Sequence, residues 1–393
     1  MLVSSRLLAT GLIAISLAAC GGAAAPSASP SAAPSTAPAS AKPAASAAPA
    51  SSAAAKPAAS ASAKPAAASS APATSSAAKP SASGAVDNTP IALGNNSSPD
   101  QAYLPILMAL DTLKQQGFNV QPNVDFKSTQ LGFQALQNNQ IQLSSSGVTD
   151  PATAIDKGLK IKVIDARANN AWSLVTTNSI ATCDQLNGKK MGLFSTTGIS
   201  TAYVKIYLQT TCPKAQPNNV IIPDSVLRRQ ALEAGQIDAS PLEGGDVVRI
   251  MADKPGQFRV LANFSETLPG IGRDVVVSNE TMINDHPAVV QAFVKAHLEA
   301  IRAIYKDPST LPQLDGKYLK LGDSAAAIAK QYADTKVWCA NGGLGGDDVQ
   351  KELDLFGGQY TFTPANMKAA QLTDTKALDQ VLAQIGKSDA TAC

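Results

Sequence analysis

Four short segments rich in serine, threonine and asparagine stand where predicted strands give way to predicted helices. The free N–H groups and the positive dipole end of a helix N-terminus favour an anion or a carbonyl oxygen. Each segment alone is more typical of plain helix capping, so binding is favoured only if all four meet at one cleft. Their candidate ligand-binding residues are Asn95, Asn96, Ser97, Ser98, Thr129, Gln130, Ser145, Ser146, Ser195, Thr196, Thr197 and Ser200.

Aromatic residues near the same predicted cleft are further candidates. Trp172 follows Asn170 where the chain is predicted to cross between two lobes. Its ring is suited to stacking on a planar ligand, and packing at a hinge is an equal alternative. Tyr103 and Tyr203 stand at the start of predicted helices and complete this group.

Four charged residues are also candidates for contact with a ligand. Glu243 follows a predicted strand and is suited to accept a hydrogen bond from an amine or a hydroxyl. Its alternative role is to complement a helix dipole. Arg167, Arg228 and Arg273 are candidate partners for an anion, with Arg273 best placed, and a solvated arginine is the ordinary alternative.

The sequence lacks the familiar metal and catalytic patterns. His286 and His297, its two histidines, have no cluster of ligands at metal-binding spacing. A Gly-x-Ser-x-Gly elbow, a phosphate-binding Gly-Lys-Ser/Thr loop and a His-Glu-x-x-His pair are all missing. A net charge of +2 provides no basic surface for nucleic acid. We therefore expect no metal, no cofactor, no nucleic-acid partner and no enzymatic activity.

Residues 1–20 are typical of a lipoprotein signal peptide. Arg6 precedes an apolar run over 7–19, which is too short to span a membrane and has the size of a signal-peptide core. The run ends in Leu-Ala-Ala-Cys-Gly and resembles a bacterial lipobox, which makes Cys20 the predicted lipidation site. An ordinary signal peptide with an incidental cysteine is the alternative.

Residues 21–86 are predicted to form a disordered tether. They are almost entirely Ala, Ser, Pro, Gly, Thr and Lys, without an acidic or an aromatic residue. Such a segment cannot bury enough apolar surface to offset the entropy of ordering it. Five of the 32 basic residues and none of the 30 acidic residues precede residue 87, so the remaining chain carries a net charge of −3.

The chain beyond the tether alternates predicted strands and helices, which indicates parallel sheets with helices on both faces. A first unit has strands near 90–93, 120–126, 141–143 and 161–166. A second unit begins near residue 172 and repeats this layout, with strands near 189–194, 220–222, 237–239 and 258–261. The pattern becomes mostly helical after residue 273, beginning with a long amphipathic helix over 287–305.

Several motifs, in their order and spacing, resemble the solute-binding lipoproteins of ABC importers. The resemblance is to the branch that includes nitrate-, sulfonate-, taurine- and thiamine-precursor-binding proteins (SsuA/THI5-like, NMT1-like). Leu-Asn-Gly-Lys-Lys-Met-Gly at 186–192 and Ala-Leu-Glu-Ala-Gly-Gln-Ile-Asp-Ala at 231–239 carry it most clearly. Asp-Val-Val-Val at 274–277, followed by Pro-Ala-Val-Val-Gln-Ala-Phe at 287–293, resembles the return strand and long helix. In the related segment at 136–142, Asn139-Gln140 replaces the usual glycine.

The resemblance implies a two-lobed periplasmic-binding-protein type 2 fold, each lobe a mainly parallel sheet with helices on both faces. The expected lobes are residues 87–170 with 270–393, and residues 171–269. It also implies a monomer that captures a polar, anionic or planar small molecule and delivers it to an ABC permease and its ATPase. The protein would stand outside the bacterial cell membrane, attached through the Cys20 lipid. An enzyme resembling thiamine-precursor synthases and a sensing or adhesion module are the alternatives.

The four cysteines beyond the lipid site support an extracytoplasmic setting, where disulfides persist. They allow three pairings. Cys183 precedes a predicted strand and Cys212 ends the helix that returns from it, so a Cys183–Cys212 bond is geometrically favoured. Cys339 and Cys393 would then pair and hold the end of the sequence, while four free thiols are the alternative.

Overall fold

A computed structural model describes residues 86–268, 271–320, 322–359, 363–389 and 393. The predicted signal peptide, the Cys20 lipid site and, apart from its last residue, the predicted tether lie outside the described residues. Within the described ranges, no helix combines the length and apolarity that crossing a membrane requires.

The first sheet has five strands in the order β2-β1-β3-β10-β4. Strands β2, β1 and β3 are parallel, whereas β10 runs antiparallel to both β3 and β4. Three consecutive valines of β10 are fully buried, as expected for a strand inside a sheet that is covered on both faces. The strands are β1 (Leu93–Asn95), β2 (Val124–Asp125), β3 (Leu143–Gly147), β4 (Ile161–Ala168) and β10 (Asp274–Asn279).

The second sheet repeats this arrangement in the order β7-β6-β8-β5-β9. Strands β7, β6 and β8 are parallel, and β5 runs antiparallel to β8 and β9. The predicted pair of similar, mainly parallel α/β lobes is therefore confirmed. The strands are β5 (Trp172–Thr177), β6 (Lys190–Leu193), β7 (Asn218–Ile221), β8 (Ala239–Glu243) and β9 (Phe258–Asn263).

The reversed strand of each sheet is the one that enters from the other lobe. Residues 169–171 lead from β4 into β5, and the chain returns before β10 through residues 271–273. Both crossings run along the edge at which the parallel strands end, so each arriving strand must run against them. The lobe boundaries at 170 and 270 stay predictions.

Helices connect the strands and cover the sheets. Those between strands of the first sheet are α1 (Leu104–Gln115), α2 (Thr129–Gln137) and α3 (Thr149–Asp156). Those in the second lobe are α4 (Ile199–Thr210), α5 (Ser225–Glu233), α6 (Gly244–Asp253) and α7 (Phe264–Thr267). Those after β10 are α8 (Glu280–Asp285), α9 (Pro287–Lys306), α10 (Leu311–Tyr318), α11 (Ala325–Asp334), α12 (Gly346–Asp354), α13 (Ala369–Leu372) and α14 (Lys376–Ile385).

Irregular helical turns complete the described backbone. Single 3-10 turns lie at Gln101–Tyr103, Cys183–Leu186, Pro308–Thr310 and Gly322–Ser324, and a π-helical turn spans Leu355–Gln359. The long helix α9 packs on α1 and α14. Pro287 at the first position of α9 suits a site where the N–H would have no partner within the helix.

Three local predictions differ from the structure. The serines at 144–146, predicted as a turn, belong to β3, because they pair with the return strand β10. Strand β5 is missing from the prediction, and the segment predicted as a strand over 120–126 pairs only at Val120 and in the short β2. In all three cases a partner distant in sequence decides the backbone, which a local pattern cannot show.

The structure contains both disulfides that the sequence favours. The Cα atoms of Cys183 and Cys212 are 5.4 Å apart, and those of Cys339 and Cys393 are 5.0 Å apart. The first bond ties the 3-10 turn before β6 to the end of α4. The second ties the last residue of the sequence to the segment between α11 and α12.

Replacing Cys339 and Cys393 together by serine should destabilise the first lobe. The bond joins residues 54 apart in sequence, and loop-closure entropy assigns it about 4 kcal/mol of unfolding free energy. The matched Cys183→Ser/Cys212→Ser variant, with a separation of 29, should lose about 3.5 kcal/mol. Urea unfolding with and without a reductant measures both losses. Equal stability of the variants and the oxidised protein would contradict the assignment.

Candidate functional site

A cavity lies between the two lobes, at the edge where the parallel strands end and the helices begin. Ligands of open α/β sheets bind at this edge. The space open to the centres of water-sized molecules is about 60 Å³. The first lobe lines it with Asn96, Ser97, Ser98, Asp100, Tyr103, Thr129, Ser145, Ser146, Gly147, Asp150, Arg167 and Asp274. The second lobe lines it with Trp172, Phe194, Ile199, Ser200, Asp224, Ser225, Val226, Arg228, Glu243 and Asp246.

More than half of the residues predicted from the sequence reach this cavity. They come from all four polar segments and from the aromatic and acidic candidates, so the expected convergence of the segments occurs in the structure. These lining residues are Asn96, Ser97, Ser98, Tyr103, Thr129, Ser145, Ser146, Trp172, Ser200 and Glu243.

Four predicted residues lie instead along a second, outer chamber of about 560 Å³ between the lobes. These residues are Gln130, Ser195, Thr196 and Thr197. The hydroxyl oxygen of Ser195 accepts a hydrogen bond from Gly198 N at 2.7 Å, which orders the turn before α4. The chamber shares Thr129, Asp150 and Phe194 with the inner cavity, so the two spaces adjoin.

The remaining predicted residues hold the structure around the cavity. Asn95 donates to Asp125 on the neighbouring strand at 2.9 Å, and Asn170 donates to Ile271 O at 3.4 Å between the two crossings. The Tyr203 hydroxyl donates to Gly272 O at 2.6 Å.

Arg273 points away from the cavity and pairs with a glutamate. Its Nε lies 2.7 Å from Glu352 Oε2, and its guanidinium also donates to Gly343 O. Among the residues that line the inner cavity, the arginines are Arg167 and Arg228. Arg273, which the sequence analysis placed first among the three arginines, is therefore the one that does not line this cavity.

The two lobes touch across the cavity mouth. Ser98 N donates to Asp224 Oδ2 at 3.0 Å, and Thr149 Oγ1 donates to Thr197 O at 3.3 Å. Asp224 also caps α5, because its Oδ1 accepts from Leu227 N at 3.1 Å. The Asp224 carboxylate thus caps a helix of the second lobe and also binds the first lobe.

Six carboxyl groups and two guanidinium groups line the cavity. Arg167 is buried, with Nη2 at 2.7 Å from Asp274 Oδ2 and Nη1 at 3.5 Å from Asp100 Oδ1. The carbon of its guanidinium also lies 4.1 Å from the centre of the Tyr103 ring, a cation–π distance. Its charge is therefore already matched within the first lobe.

Arg228 is held by main-chain oxygens. Its Nε donates to Pro241 O at 3.2 Å and its Nη1 to Ile222 O at 3.0 Å, while the guanidinium carbon lies 5.7 Å from the Trp172 ring centre. Burial lowers its pKa to about 10, against the pull of Asp246, Asp224 and Glu243. Its buried Nη2 has no hydrogen-bond partner among the described residues.

Burial raises the pKa values of four carboxyl groups that line the cavity. Burial raises the pKa of Glu243 well above its usual value, and the charge of Asp100 raises it further. Burial, and secondly the charge of Asp274, raises the pKa of Asp150 to about 7. Burial also raises the pKa values of Asp246 and Asp274, although arginine partners oppose the change in both.

The acidic residues are what the sequence prediction missed. Asp100, Asp150, Asp224 and Asp246 stand at or within the first turn of helical segments, and Asp274 begins a strand. An aspartate that follows a strand and precedes a helix was the available signal, and it has the same weight as a serine or asparagine at that place. Among the described residues, no group of three or more His, Cys, Asp or Glu side chains is placed to hold a metal ion.

The fold and the cleft define a class of protein, the two-lobed periplasmic binding proteins with a polar cavity between the lobes. A family model described as NMT1/THI5 like matches residues 113–311, about half of the sequence. The chain belongs to this family, which confirms the resemblance inferred from the motifs. No curated protein matches the sequence significantly.

Three solved structures show the same fold. The nitrate-binding protein NrtA from Synechocystis is 10% identical, with a TM-score of 0.63 over 77% of this chain and 92% of its own. A zinc-bound ligand-binding component of an ABC-type import system from Staphylococcus aureus is 14% identical, with a TM-score of 0.60 over 75% and 99%. The aliphatic sulphonate-binding protein SsuA from Escherichia coli is 16% identical, with a TM-score of 0.55 over 74% and 93%.

Replacing Asp224 should separate its two roles. In Asp224→Asn the amide oxygen still caps α5, but the amide nitrogen cannot accept from Ser98 N, so closure should weaken while the melting temperature stays near that of the wild type. Asp224→Ala should also lose the cap, at a cost of about 1 kcal/mol in unfolding free energy. Thermal unfolding and small-angle scattering measure the two effects. Equal scattering profiles for wild type and both variants would contradict a role in closure.

Proposed function

We propose that this protein is a solute-binding protein that captures a small molecule between its two lobes and delivers it, as a monomer, to an ABC permease and its ATPase. The observation that carries the proposal is the polar cavity, because both lobes line it and their contact at Ser98 and Asp224 closes it. The family, and the import and binding roles printed for the similar structures, support the same conclusion.

Binding is favoured over catalysis by where the reactive side chains lie. The four cysteines among the described residues form two disulfides. His286 Nδ1 lies 2.8 Å from Asp87 Oδ2, and Nδ1 of the fully buried His297 lies 2.7 Å from Asp165 Oδ2. Neither histidine lines the cavity, so the Cys- and His-based site of a thiamine-precursor synthase has no counterpart in the described cleft.

We further propose that the protein is held outside the cell membrane by a lipid on Cys20 and a tether over residues 21–86. The signal-peptide pattern before Cys20 and the composition of the tether support this arrangement. Two disulfides in the folded part suit an oxidising, extracytoplasmic compartment.

Closure can be tested at the contact between Gly147 and Ile199. A Cβ atom at residue 147 would lie 2.3 Å from Ile199 Cγ2 and 2.4 Å from its Cβ, both in the other lobe. Gly147→Ala should therefore fold normally but resist closure and lose at least tenfold in affinity. Adding Ile199→Gly removes the clash and should restore part of the affinity. Gly316→Ala, where a Cβ meets nothing within 4 Å, is the matched control.

The affinity is measured by calorimetry with the strongest binder from a thermal-shift panel of nitrate, taurine, benzenesulfonate, benzylammonium and cytosine. A native-state ligand raises the melting temperature, which makes the panel a direct test of binding. Unchanged affinity in Gly147→Ala would show that this closed arrangement does not hold the ligand. If no compound raises the melting temperature, the solute-binding proposal fails.

The anchor has its own test in cells. Cys20→Ser should move the protein from the membrane and detergent-soluble fraction into the aqueous fraction, because the lipid acceptor is lost. Ser27→Ala, a small polar change within the tether, should leave the distribution unchanged. Retention of the Cys20→Ser protein in the membrane fraction would contradict lipidation at this residue.

A further inference from the structure

The inner cavity is lined by more acidic than basic side chains. Six carboxyl groups face two guanidinium groups. Arg167 is paired with Asp274 at 2.7 Å and more loosely with Asp100 at 3.5 Å, and Asp246 is paired at 3.1 Å with Arg229, which stands behind the cavity wall. Among the described residues, no salt bridge joins Glu243 to a lysine, arginine or histidine, although the charge of Arg167 opposes the rise in its pKa.

Glu243 and Asp100 line the same cavity from different lobes, and the charge of Asp100 acts on the buried Glu243 carboxyl group. If both were ionised, their repulsion in a buried site would oppose closure. A group that donates hydrogen bonds and carries positive charge would offset this repulsion and could contact both carboxylates at once.

We infer that the ligand carries a protonated nitrogen, as in an amine, an amidine or a guanidine, and that this nitrogen binds between Asp100 and Glu243. The inference rests on the proposed function and names the chemical class of its ligand. A cation there joins a side chain of each lobe, so its binding favours closure. An anion at the same place would add to the excess of negative charge.

The polar wall of the cavity contains a donor, on Arg228, that is unpartnered among the described residues, and an amide, on Asn96, that is already fixed by the protein. Asn96 is 3% exposed, and its amide nitrogen donates to Ser144 Oγ and Ser145 O, both at 3.0 Å. This fixes the orientation of the amide and turns Oδ1 toward Gly132 of α2. Arg228 is fully buried, and its free Nη2 calls for one acceptor atom elsewhere on the same ligand.

The shape of the cleft agrees with an organic cation. Tyr103, Trp172 and Phe194 supply aromatic walls beside the carboxyl groups, which suit a charged nitrogen on an apolar body. The inner space of about 60 Å³ fits a small head group. The outer chamber, of about 560 Å³, adjoins it and can accept the rest of a longer molecule.

Isosteric pairs of compounds test the charge requirement on the purified full-length protein. Benzylammonium, benzamidinium and butylammonium are compared with benzyl alcohol and butanol as neutral partners, and with benzenesulfonate and nitrate as anions. Calorimetry should give at least tenfold tighter binding for a cation than for its neutral partner, and no measurable binding of the anions. A zwitterion such as 4-aminobutyrate that binds also supports the inference, since it carries the required nitrogen.

Variants of the two carboxyl groups locate the nitrogen. Glu243→Gln and Asp100→Asn should each reduce the affinity for the bound cation at least tenfold. Asn at residue 100 keeps an oxygen for the bond from Ala102 N, and Gln at residue 243 lacks a buried charge, so both variants should fold. Glu299→Gln is the matched control, because that side chain is 51% exposed on α9. It removes the same charge and should leave the affinity unchanged.

Three results would overturn the inference. Binding of an anion or a neutral compound in preference to every cation would do so and would leave the solute-binding function intact. Cation binding with equal affinity in Glu243→Gln and Asp100→Asn would place the charge elsewhere. If neither these compounds nor those of the thermal-shift panel bind, the inference fails together with the proposed function.

Discussion

The buried ion pair between Arg167 and Asp274 lies where the two lobes join. Arg167 stands near the end of β4, just before the first crossing, and Asp274 begins β10, just after the second. Their atoms approach to 2.7 Å, and both side chains also line the cavity. Removing one partner of such a pair typically costs about 3–5 kcal/mol, because a charge is left buried. The same pair therefore fixes the crossings and the floor of the cleft.

This arrangement explains why shared fold and shared ligand need not go together. The chain has the backbone plan of proteins named for binding nitrate and sulphonate, at 10% and 16% identity. Its helix N-termini favour negative charge, but aspartates already stand at several of them. A helix N-terminus that already lies beside an aspartate of the protein no longer favours the binding of an anion from solution. The side chains at the strand ends, and not the sheets, decide what the cleft prefers.

The sequence was sufficient for the fold and for part of the site. Strand and helix periodicity predicted two repeated lobes, because these patterns reflect local burial. The polar segments also predicted seven lining residues, since the carboxyl ends of parallel strands meet at one edge. Local sequence patterns could not show which of Arg167 and Arg273 lines the cavity. Their roles depend on Asp274 and Glu352, and the latter is 79 residues distant from its partner.

Two serines show the same limit of local sequence patterns. Ser128 caps α2, accepting from Leu131 N at 3.4 Å, as its place before a helix predicts. Ser145 stands in an equally polar segment, but its hydroxyl donates to Val275 O at 3.0 Å across the sheet. A local pattern identifies the first role. The second depends on a strand that arrives from the other lobe and is 130 residues away.

Asp224 caps α5 and accepts the bond from Ser98 N, and the second of these bonds bears on how firmly the lobes hold together. Opening the cleft exchanges the bond from Ser98 N for a bond to water, and such exchanges are worth only about 1 kcal/mol in net free energy. The bond from Thr149 Oγ1 to Thr197 O is of the same kind, so these two hydrogen bonds hold the lobes together only weakly. A molecule that contacted both lobes at once would therefore shift the balance between the open and closed arrangements. The same weak contacts would allow such a molecule to leave again.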